Sequence, residues 1–418
     1  MHTWITKRGV TGAGGGWARP GPGAHGALFY FGFFGAAAVY MPFLGVFFAA
    51  RHLSGSEIGL LSAIGPLVAV LVTPGLAAQA DRRGWRVRML CLGLAGTAIG
   101  LLLLPIPTSF GGLGLIVTLL ALVGSPVVPL ADGLVVQLAA RQGLAYGKMR
   151  LWGSLSWAVV AAAGGALWQQ WGAGLMFPLA SLLLLATILV ARRFEEERPA
   201  AAARRPALWR VLRERRLLTA LAAAFGLSLA LTMAITFGAI YLNRLGGGQG
   251  LVGLYAGVMA ISELPTMFWS ERIIRRLGGP GTLVLATTLL GSAYLGLAGI
   301  ADPGWVLSAA VLQGLGFGLF ATTTVRLVAD LAPPKFAATY QGLLGAAAWG
   351  LAPLVGGPLG GVIFDARGPV AVFLTSGAVS AGVGLVVFLA QRSGLFAARP
   401  AAPTGAPPAP VELPLGGA

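Results

Sequence analysis

The sequence predicts an all-α polytopic membrane protein with twelve transmembrane helices in two pseudo-symmetric six-helix bundles. Three observations support this prediction. The 418 residues are 56% hydrophobic and only 10% charged, whereas soluble domains carry about a quarter charged residues. Long apolar runs follow one another along the chain, most of them near the length that a helix needs to cross a bilayer core. Residues of the same type also recur at a nearly constant spacing, which indicates two related halves.

The apolar runs give the predicted elements, and short polar or basic stretches separate them. The predicted spans are Ala27–Ala50, Ile58–Ala78, Met89–Leu104, Leu113–Ala139, Met149–Trp168, Gly174–Ala191, Leu217–Leu242, Leu251–Trp269, Thr282–Ile300, Val306–Leu331, Ala338–Phe364 and Val370–Ala390. These spans form an N-terminal bundle at 27–191 and a C-terminal bundle at 217–390. A basic linker at 192–216 joins the bundles on the cytoplasmic surface. The Gly-rich tail at 1–26 and the Pro/Ala-rich tail at 391–418 are expected to be disordered.

The basic residues predict the orientation. If both termini lie in the cytoplasm, the outward loops hold only Arg51, Arg244 and Arg367 of the 29 basic residues. Short loops rich in Lys and Arg remain in the cytoplasm. We therefore expect a multi-pass protein with both termini inside, in a cell membrane and most simply the bacterial cytoplasmic membrane. The net charge is +16, and the basic residues lie in the gaps between the apolar runs. They do not cluster as in a nucleic-acid-binding patch, so we expect no nucleic-acid partner.

The repeat relates the first half of the chain to the second. Gly59 and Gly253 are 194 residues apart, and Tyr146 and Tyr340 have the same separation. Six plus six helices about an axis along the membrane normal is an arrangement known from secondary transporters.

The inventory of reactive residues argues against enzyme and metal chemistry. Cys91 is the one cysteine, so the chain offers no internal disulfide and no cysteine metal site. The three histidines are His2, His25 and His52, which lie outside the spans or at their edge, and a histidine metal centre is therefore not expected. A phosphate-binding Gly-x-x-x-x-Gly-Lys-[Ser/Thr] loop is also absent from the sequence. We expect no cofactor and no enzyme activity, with a polytopic membrane enzyme as a remote alternative.

A short basic turn, Pro74–Arg88, joins the second and third predicted spans. Asp81 lies at the C-terminal end of a helix, where the helix dipole disfavours an anion, so it needs one of the neighbouring arginines as a partner. Any cytoplasmic loop of a polytopic protein could be equally basic. The order Gly, Asp-Arg and a small basic cluster nevertheless resembles the helix 2–helix 3 signature of the major facilitator superfamily. The resemblance implies a conformational gate formed by Gly75, Asp81, Arg82, Arg83 and Arg86.

Five charged residues lie in or at the ends of predicted spans: Asp132, Arg150, Glu263, Arg326 and Asp330. A charge at the bilayer centre costs roughly 2.5–3.5 kcal/mol on insertion scales, so such residues are functional candidates. Arg326 and Asp330 are four residues apart and can form a charge pair on one helix face. Asp132 lies 194 residues before Arg326, at the equivalent position of the other half. It can therefore pair with Arg326 across the cleft, or with Arg150 on the next helix.

Trp157 lies seven residues beyond Arg150, two turns along the same helix face. Together with Asp132 these residues offer a carboxylate, a guanidinium and an indole to a single cavity. The acid and the base can bind hydroxyls while the indole stacks on a ring. In the plainer interpretation, Arg150 is a topological anchor and Trp157 is an interfacial aromatic residue.

The segment Tyr146–Trp157, with the sequence Tyr-Gly-Lys-Met-Arg-Leu-Trp-Gly-Ser-Leu-Ser-Trp, resembles helix 5 in two branches of the superfamily. One branch contains the oligosaccharide–proton symporters, and the other contains the phenylpropionate permeases. The resemblance implies that Asp132 and Arg150 bind substrate and that Trp157 stacks on it.

The resemblance also assigns a substrate-binding acid on helix 8 to Glu263, and it places Tyr30 at the cavity wall. The symporters couple protons through a His and a Glu on helix 10, but the matching positions here are Gly316 and Leu319. Proton coupling would then fall to Glu263 or Asp132. Glu263 is the first choice because the sequence shows no fixed partner for it.

The sequence thus predicts a secondary active transporter that moves a small organic solute by alternating access, with proton-coupled symport expected. A sugar, a nucleoside and an aromatic acid all fit the predicted site. If Asp132 does not neutralise Arg150, the site would favour a substrate with a carboxylate. If it does, the site would favour a substrate with hydroxyl groups. The alternative is proton-driven efflux of drugs or metabolites, although helix 5 lacks the Gly-Pro signature of exporters. The expected partners are a small-molecule substrate, protons and the lipid bilayer, and the expected state is a monomer.

Overall fold

The computed structural model describes residues 22–196, 213–300, 302–333 and 336–396. All regular secondary structure in these ranges is helical. Eight of the helical stretches in these ranges are long and apolar enough to cross a membrane, or nine if one bent pair counts as a single span. The predicted class, an all-α polytopic membrane protein, is therefore confirmed. Most of both predicted tails and residues 197–212 of the predicted linker lie outside the described residues.

The described residues of the first half form nine α-helices, and several predicted spans consist of two of them. The helices are α1 (Pro22–Tyr40), α2 (Leu44–Ala49), α3 (Gly55–Leu71), α4 (Thr73–Arg83), α5 (Arg86–Leu103), α6 (Phe110–Gly124), α7 (Val127–Gln142), α8 (Tyr146–Trp171) and α9 (Met176–Ala191). Helices α3 and α4 meet at a bend of 43°. The break between α6 and α7 falls at Pro126, which lacks the backbone N–H that a continuous helix requires. Because α1 begins at Pro22, the predicted tail at 1–26 extends too far.

The second half contains helices that are too long for a single crossing. Its helices are α10 (Arg215–Leu242), α11 (Gly248–Gly299), α12 (Val306–Leu331), α13 (Ala337–Gly345) and α14 (Ala352–Arg392). The backbone leaves helical geometry inside α11 at Gly278, with φ 71°, and inside α14 at Gly368, with φ 78°. Positive φ costs little only for glycine, so these residues allow the chain to reverse. Both breaks fall where the sequence predicts a loop, although the count of twelve spans and the orientation remain predictions.

The two halves pack against each other through glycines. A Cβ atom on Gly59 of α3 would lie 2.3 Å from the carbonyl oxygen of Gly357 on α14. A Cβ atom on Gly253 of α11 would lie 2.3 Å from the carbonyl oxygen of Ala161 on α8. Small residues allow this close approach of helix backbones within a membrane. The repeat-related pair Gly59 and Gly253 therefore makes equivalent contacts, each with the opposite half.

A carboxylate joins the halves at the same end of the bundle. Asp365 of α14 accepts hydrogen bonds from the backbone N–H groups of Gly55 and Ser56, at 2.6 and 2.8 Å, and from the Ser56 hydroxyl at 2.6 Å. The N-terminus of α3 favours an anion because of its exposed N–H groups and helix dipole. In the predicted orientation this is the outer end, so the cleft is closed toward the outside.

Candidate functional site

Two tyrosines hold the Asp132 carboxylate of α7. The Tyr30 hydroxyl donates a hydrogen bond to Oδ1 at 2.5 Å, and the Tyr146 hydroxyl donates to the same oxygen at 3.1 Å. Tyr30 is completely buried, so it acts on the site by positioning Asp132. Both donors are neutral, and among the described residues Asp132 forms an ion pair with neither Arg150 nor Arg326 in this conformation.

The guanidinium group of Arg150 packs against two aromatic rings. Its guanidinium carbon is 4.0 Å from the ring centroid of Phe34 and 5.3 Å from that of Tyr30. Cation–π contacts of this kind hold a guanidinium without neutralising its charge. Gly153 permits the arrangement, since a Cβ there would lie 2.7 Å from Phe34 and 2.9 Å from the guanidinium. In the described part of the chain, Arg150 forms no ion pair, so its charge remains available to a ligand.

Glu263 brings the second half of the chain to this site. It lies on α11 and is 8% exposed. Its polar neighbours are the Ser154 hydroxyl and the Arg150 guanidinium, both on α8 of the first half. The site therefore spans the cleft between the halves, with the Arg150 guanidinium of the first half close to the Glu263 carboxylate of the second.

Trp157 lies between two cavities. The larger cavity, of about 630 Å³, is mostly apolar and is bordered by Phe33, Phe34, Tyr40 and Trp157 among others. A smaller cavity, of about 260 Å³, is bordered by Trp157, Tyr255 and Gln313 together with aliphatic side chains. Trp157 thus forms a shared wall, and Phe34 connects the Arg150 guanidinium to the larger cavity.

Comparison with known proteins decides the family. A family model described as "MFS_1 like family" matches residues 26–375. The chain belongs to the MFS_1-like family. The predicted resemblance to the major facilitator superfamily is therefore confirmed.

Two relatives in this family match most of the chain. The maltose permease of Geobacillus stearothermophilus is 30% identical over 375 residues, which cover 87% of this chain and 94% of the relative. The probable 3-phenylpropionic acid transporter of Escherichia coli K12 is 26% identical over 332 residues, which cover 76% of this chain and 82% of the relative. As a member of this family, the protein is a multi-pass membrane transporter and not an enzyme.

Solved structures share the fold at low sequence identity. The nucleoside transporter NupG has a TM-score of 0.78 at 14% identity, covering 91% of this chain and 100% of NupG. A bacterial homologue of the human lysosomal transporter Spinster, in an inward-facing and occupied conformation, has a TM-score of 0.67 at 17% identity over 91% of this chain and 98% of its own. At these identities the likeness shows the fold alone.

In this MFS_1-like transporter the predicted gate turn, Pro74–Arg88, makes contacts within itself. Arg86 Nε lies 2.5 Å from Asp81 Oδ1, and the Arg83 guanidinium lies 4.8 Å from the Trp85 ring centroid. Arg82 is exposed, and a Cβ on Gly75 would contact nothing within 4 Å. The turn is thus apart from the Asp132 cluster, and its role as a gate stays a prediction.

The predicted charge pair on α12 forms and is exposed. Arg326 Nε is 3.1 Å from Asp330 Oδ1, and both side chains are more than half exposed. Exposed pairs of this kind contribute little free energy. The pair gives no sign of a substrate site.

Sequence reasoning did not assign three of the polar contacts in the cleft. It noted Tyr146 in the repeat and in the helix 5 segment but gave it no role in the site, although the residue lies one helical turn before Arg150 and could have been placed beside it. Ser154 and Gln313 were missed because their partners, Glu263 and Tyr255, lie far away in the sequence.

Proposed function

We propose that this transporter takes up small aromatic carboxylates together with protons. Arg150 binds the carboxylate, and the apolar cavity beside Trp157 holds the ring. The observation that supports this proposal is the Arg150 guanidinium, which rests on Phe34 at 4.0 Å without an ion-pair partner among the described residues. A cation in a largely apolar cleft is costly unless it is paired, and a planar guanidinium pairs best with a carboxylate.

The cavity favours a ring over a sugar. Hydroxyl groups that are buried without partners cost roughly 1–3 kcal/mol each, and the wall of the larger cavity consists mostly of aromatic and aliphatic side chains. Oδ1 of Asp132, one of two oxygens that could bind sugar hydroxyls, already accepts two tyrosine hydroxyls. The similarity to the probable 3-phenylpropionic acid transporter supports the same substrate class.

A disaccharide is the second candidate. The similarity to the maltose permease favours it, as does the presence of Asp132, Arg150 and Glu263 around one cleft beside Trp157. A sugar hydroxyl would bind Asp132 through Oδ2, or through Oδ1 after displacing the tyrosine donors.

Glu263 couples the proton to the substrate in this proposal. Ionised Glu263 and a substrate carboxylate would compete for the one Arg150 guanidinium, because both are anions in a cleft where charges interact strongly. Protonation of Glu263 removes this competition, so proton and substrate bind together. Both would then be released to the cytoplasm when the outer end is closed, as it is here in the predicted orientation, and this is symport.

A binding experiment tests the substrate class. Titration calorimetry on the purified protein would compare 3-phenylpropionate, its neutral amide 3-phenylpropionamide, and maltose. We expect only the acid to bind. Arg150→Gln should weaken its binding by at least about 30-fold, since truncation of a buried charge partner costs about 2 kcal/mol or more.

The matched control is Arg326→Gln, which removes an exposed arginine from α12 and should leave the affinity unchanged. Equal binding of the acid and the amide would refute the carboxylate assignment. Binding of maltose alone would establish the second candidate.

A further inference from the structure

A second polar cluster lies in the C-terminal half, at the smaller cavity. The Tyr255 hydroxyl donates a hydrogen bond to the side-chain carbonyl oxygen of Gln313, which is 2% exposed. Tyr294 is completely buried close to Tyr255, and its hydroxyl has no hydrogen-bond partner among the described residues. Tyr255 and Gln313 therefore meet at the cavity wall, with Tyr294 close to Tyr255.

The hydrogen bonds leave this cluster incomplete. No described residue accepts a hydrogen bond from the Gln313 amide nitrogen, because the one bond to its side chain is made at the oxygen. The Tyr294 hydroxyl is likewise unpartnered. Buried polar groups in native proteins nearly always have a partner, and each one without a partner costs roughly 1–3 kcal/mol. Tyr255 and Gln313 both line the cavity, so a ligand in that cavity can reach them.

The smaller cavity continues the substrate cavity. Met41, Pro42 and Trp157 form part of the wall of both. The two cavities therefore adjoin at Trp157, and one ligand can extend from the first into the second.

The spacing of residues along α8 and α11 indicates the direction in which such a ligand would extend. Helix α8 and the first part of α11 run antiparallel, because Ser154 is a neighbour of Glu263 while Ala161 contacts Gly253. Trp157 lies seven residues from Arg150, and Tyr255 lies eight residues from Glu263 in the same direction. At 1.5 Å per residue, both separations are roughly 10–12 Å.

We infer that Tyr255 and Gln313 form a second subsite, which binds a neutral hydroxyl group at the end of the substrate opposite its carboxylate. This inference rests on the proposed function. The Gln313 amide nitrogen donates and the Tyr255 oxygen accepts, so a hydroxyl group can satisfy both kinds of partner. A charged group does not fit, because the residues that border the smaller cavity include no Asp, Glu, Lys or Arg. The preferred substrates are aromatic acids with a phenolic hydroxyl remote from the acid chain.

Titration calorimetry on the purified full-length protein tests the subsite with 3-phenylpropionate and 3-(4-hydroxyphenyl)propionate. We expect the unaltered protein to bind the hydroxylated acid about 10-fold more tightly, as one satisfied buried hydrogen bond allows. Gln313→Leu and, separately, Tyr255→Phe should bring the ratio of the two Kd values close to one. Tyr255→Phe removes a single oxygen, so it guards against a folding defect in the first variant.

Tyr241→Phe is the matched control. The Tyr241 hydroxyl already donates to the carbonyl oxygens of Leu297 and Ile300, and its loss should leave the ratio of the Kd values unchanged. Equal affinity of the unaltered protein for the two acids would overturn the subsite and leave the proposed function intact. If both variants still bind the hydroxylated acid more tightly, the subsite is likewise overturned and the proposed function remains intact. If neither acid binds, the proposed function is overturned and the subsite with it.

Discussion

The substitution Gly59→Ala should open the outer end of the transporter. The added Cβ would lie 2.3 Å from the carbonyl oxygen of Gly357, 2.8 Å from its carbonyl carbon and 3.1 Å from Cα of Pro358. These are backbone atoms of α14, so no side-chain rotation relieves the overlap, and α3 must move away from α14. Overpacking of this kind typically costs about 1–3 kcal/mol. The cost applies only where the two halves touch, so the closed population should fall by about 5- to 150-fold relative to the open one.

Double electron–electron resonance, which measures the distance between two spin labels, can detect this opening of the outer end. The labels would replace Trp171 at the end of α8 and Arg367 near the break in α14, both exposed and in opposite halves, in a Cys91→Ser background. We expect Gly59→Ala to populate a longer distance. The control is Gly65→Ala on the same helix, where a Cβ contacts nothing within 4 Å. If the two variants give the same distance distribution, the reasoning about the outer contact is refuted.

Three further outcomes follow from the same geometry. Glu263→Gln should retain substrate exchange but lose accumulation driven by a pH gradient, and full gradient-driven uptake by this variant would exclude Glu263 as the proton carrier. Asp365→Asn should lengthen the same interspin distance, because it removes a charged acceptor of three hydrogen bonds from the other half, while Asp330→Asn, whose partner Arg326 lies on the same helix, should not. Tyr146→Phe removes one of the two donors to Asp132 and should weaken substrate binding less than Arg150→Gln does, as calorimetry can show.

Local patterns in the sequence predicted the parts of this protein that depend on near neighbours. Hydropathy predicted the helical membrane class, because each span must satisfy its own backbone hydrogen bonds within lipid. The contact between Asp81 and Arg86 joins residues only five apart, so helix-end electrostatics could suggest it. The repeat also related Gly59 to Gly253, which make equivalent contacts in the structure.

The interior of the cleft could not be predicted in this way. The Tyr30–Asp132 hydrogen bond joins residues 102 apart, and the Tyr255–Gln313 bond joins residues 58 apart. Such pairs depend on how helices rotate and cross, which hydropathy does not determine. From the sequence, two arginines were possible partners for Asp132. Only charged partners were considered, and the neutral hydroxyl donors were not. The helix break before Val127 was also missed, although Pro126 was a visible signal for it.

Uptake by proteoliposomes tests the central claim, that Arg150 and Glu263 together carry an aromatic carboxylate with a proton. Radiolabelled 3-phenylpropionate would be supplied outside at lower pH than inside, with protein-free liposomes as the baseline because the protonated acid crosses lipid unaided. The account predicts accumulation above that baseline, its loss with a protonophore, and no accumulation above baseline with Arg150→Gln. Uptake that is equal with and without the pH gradient, or uptake of maltose in place of the acid, would contradict it.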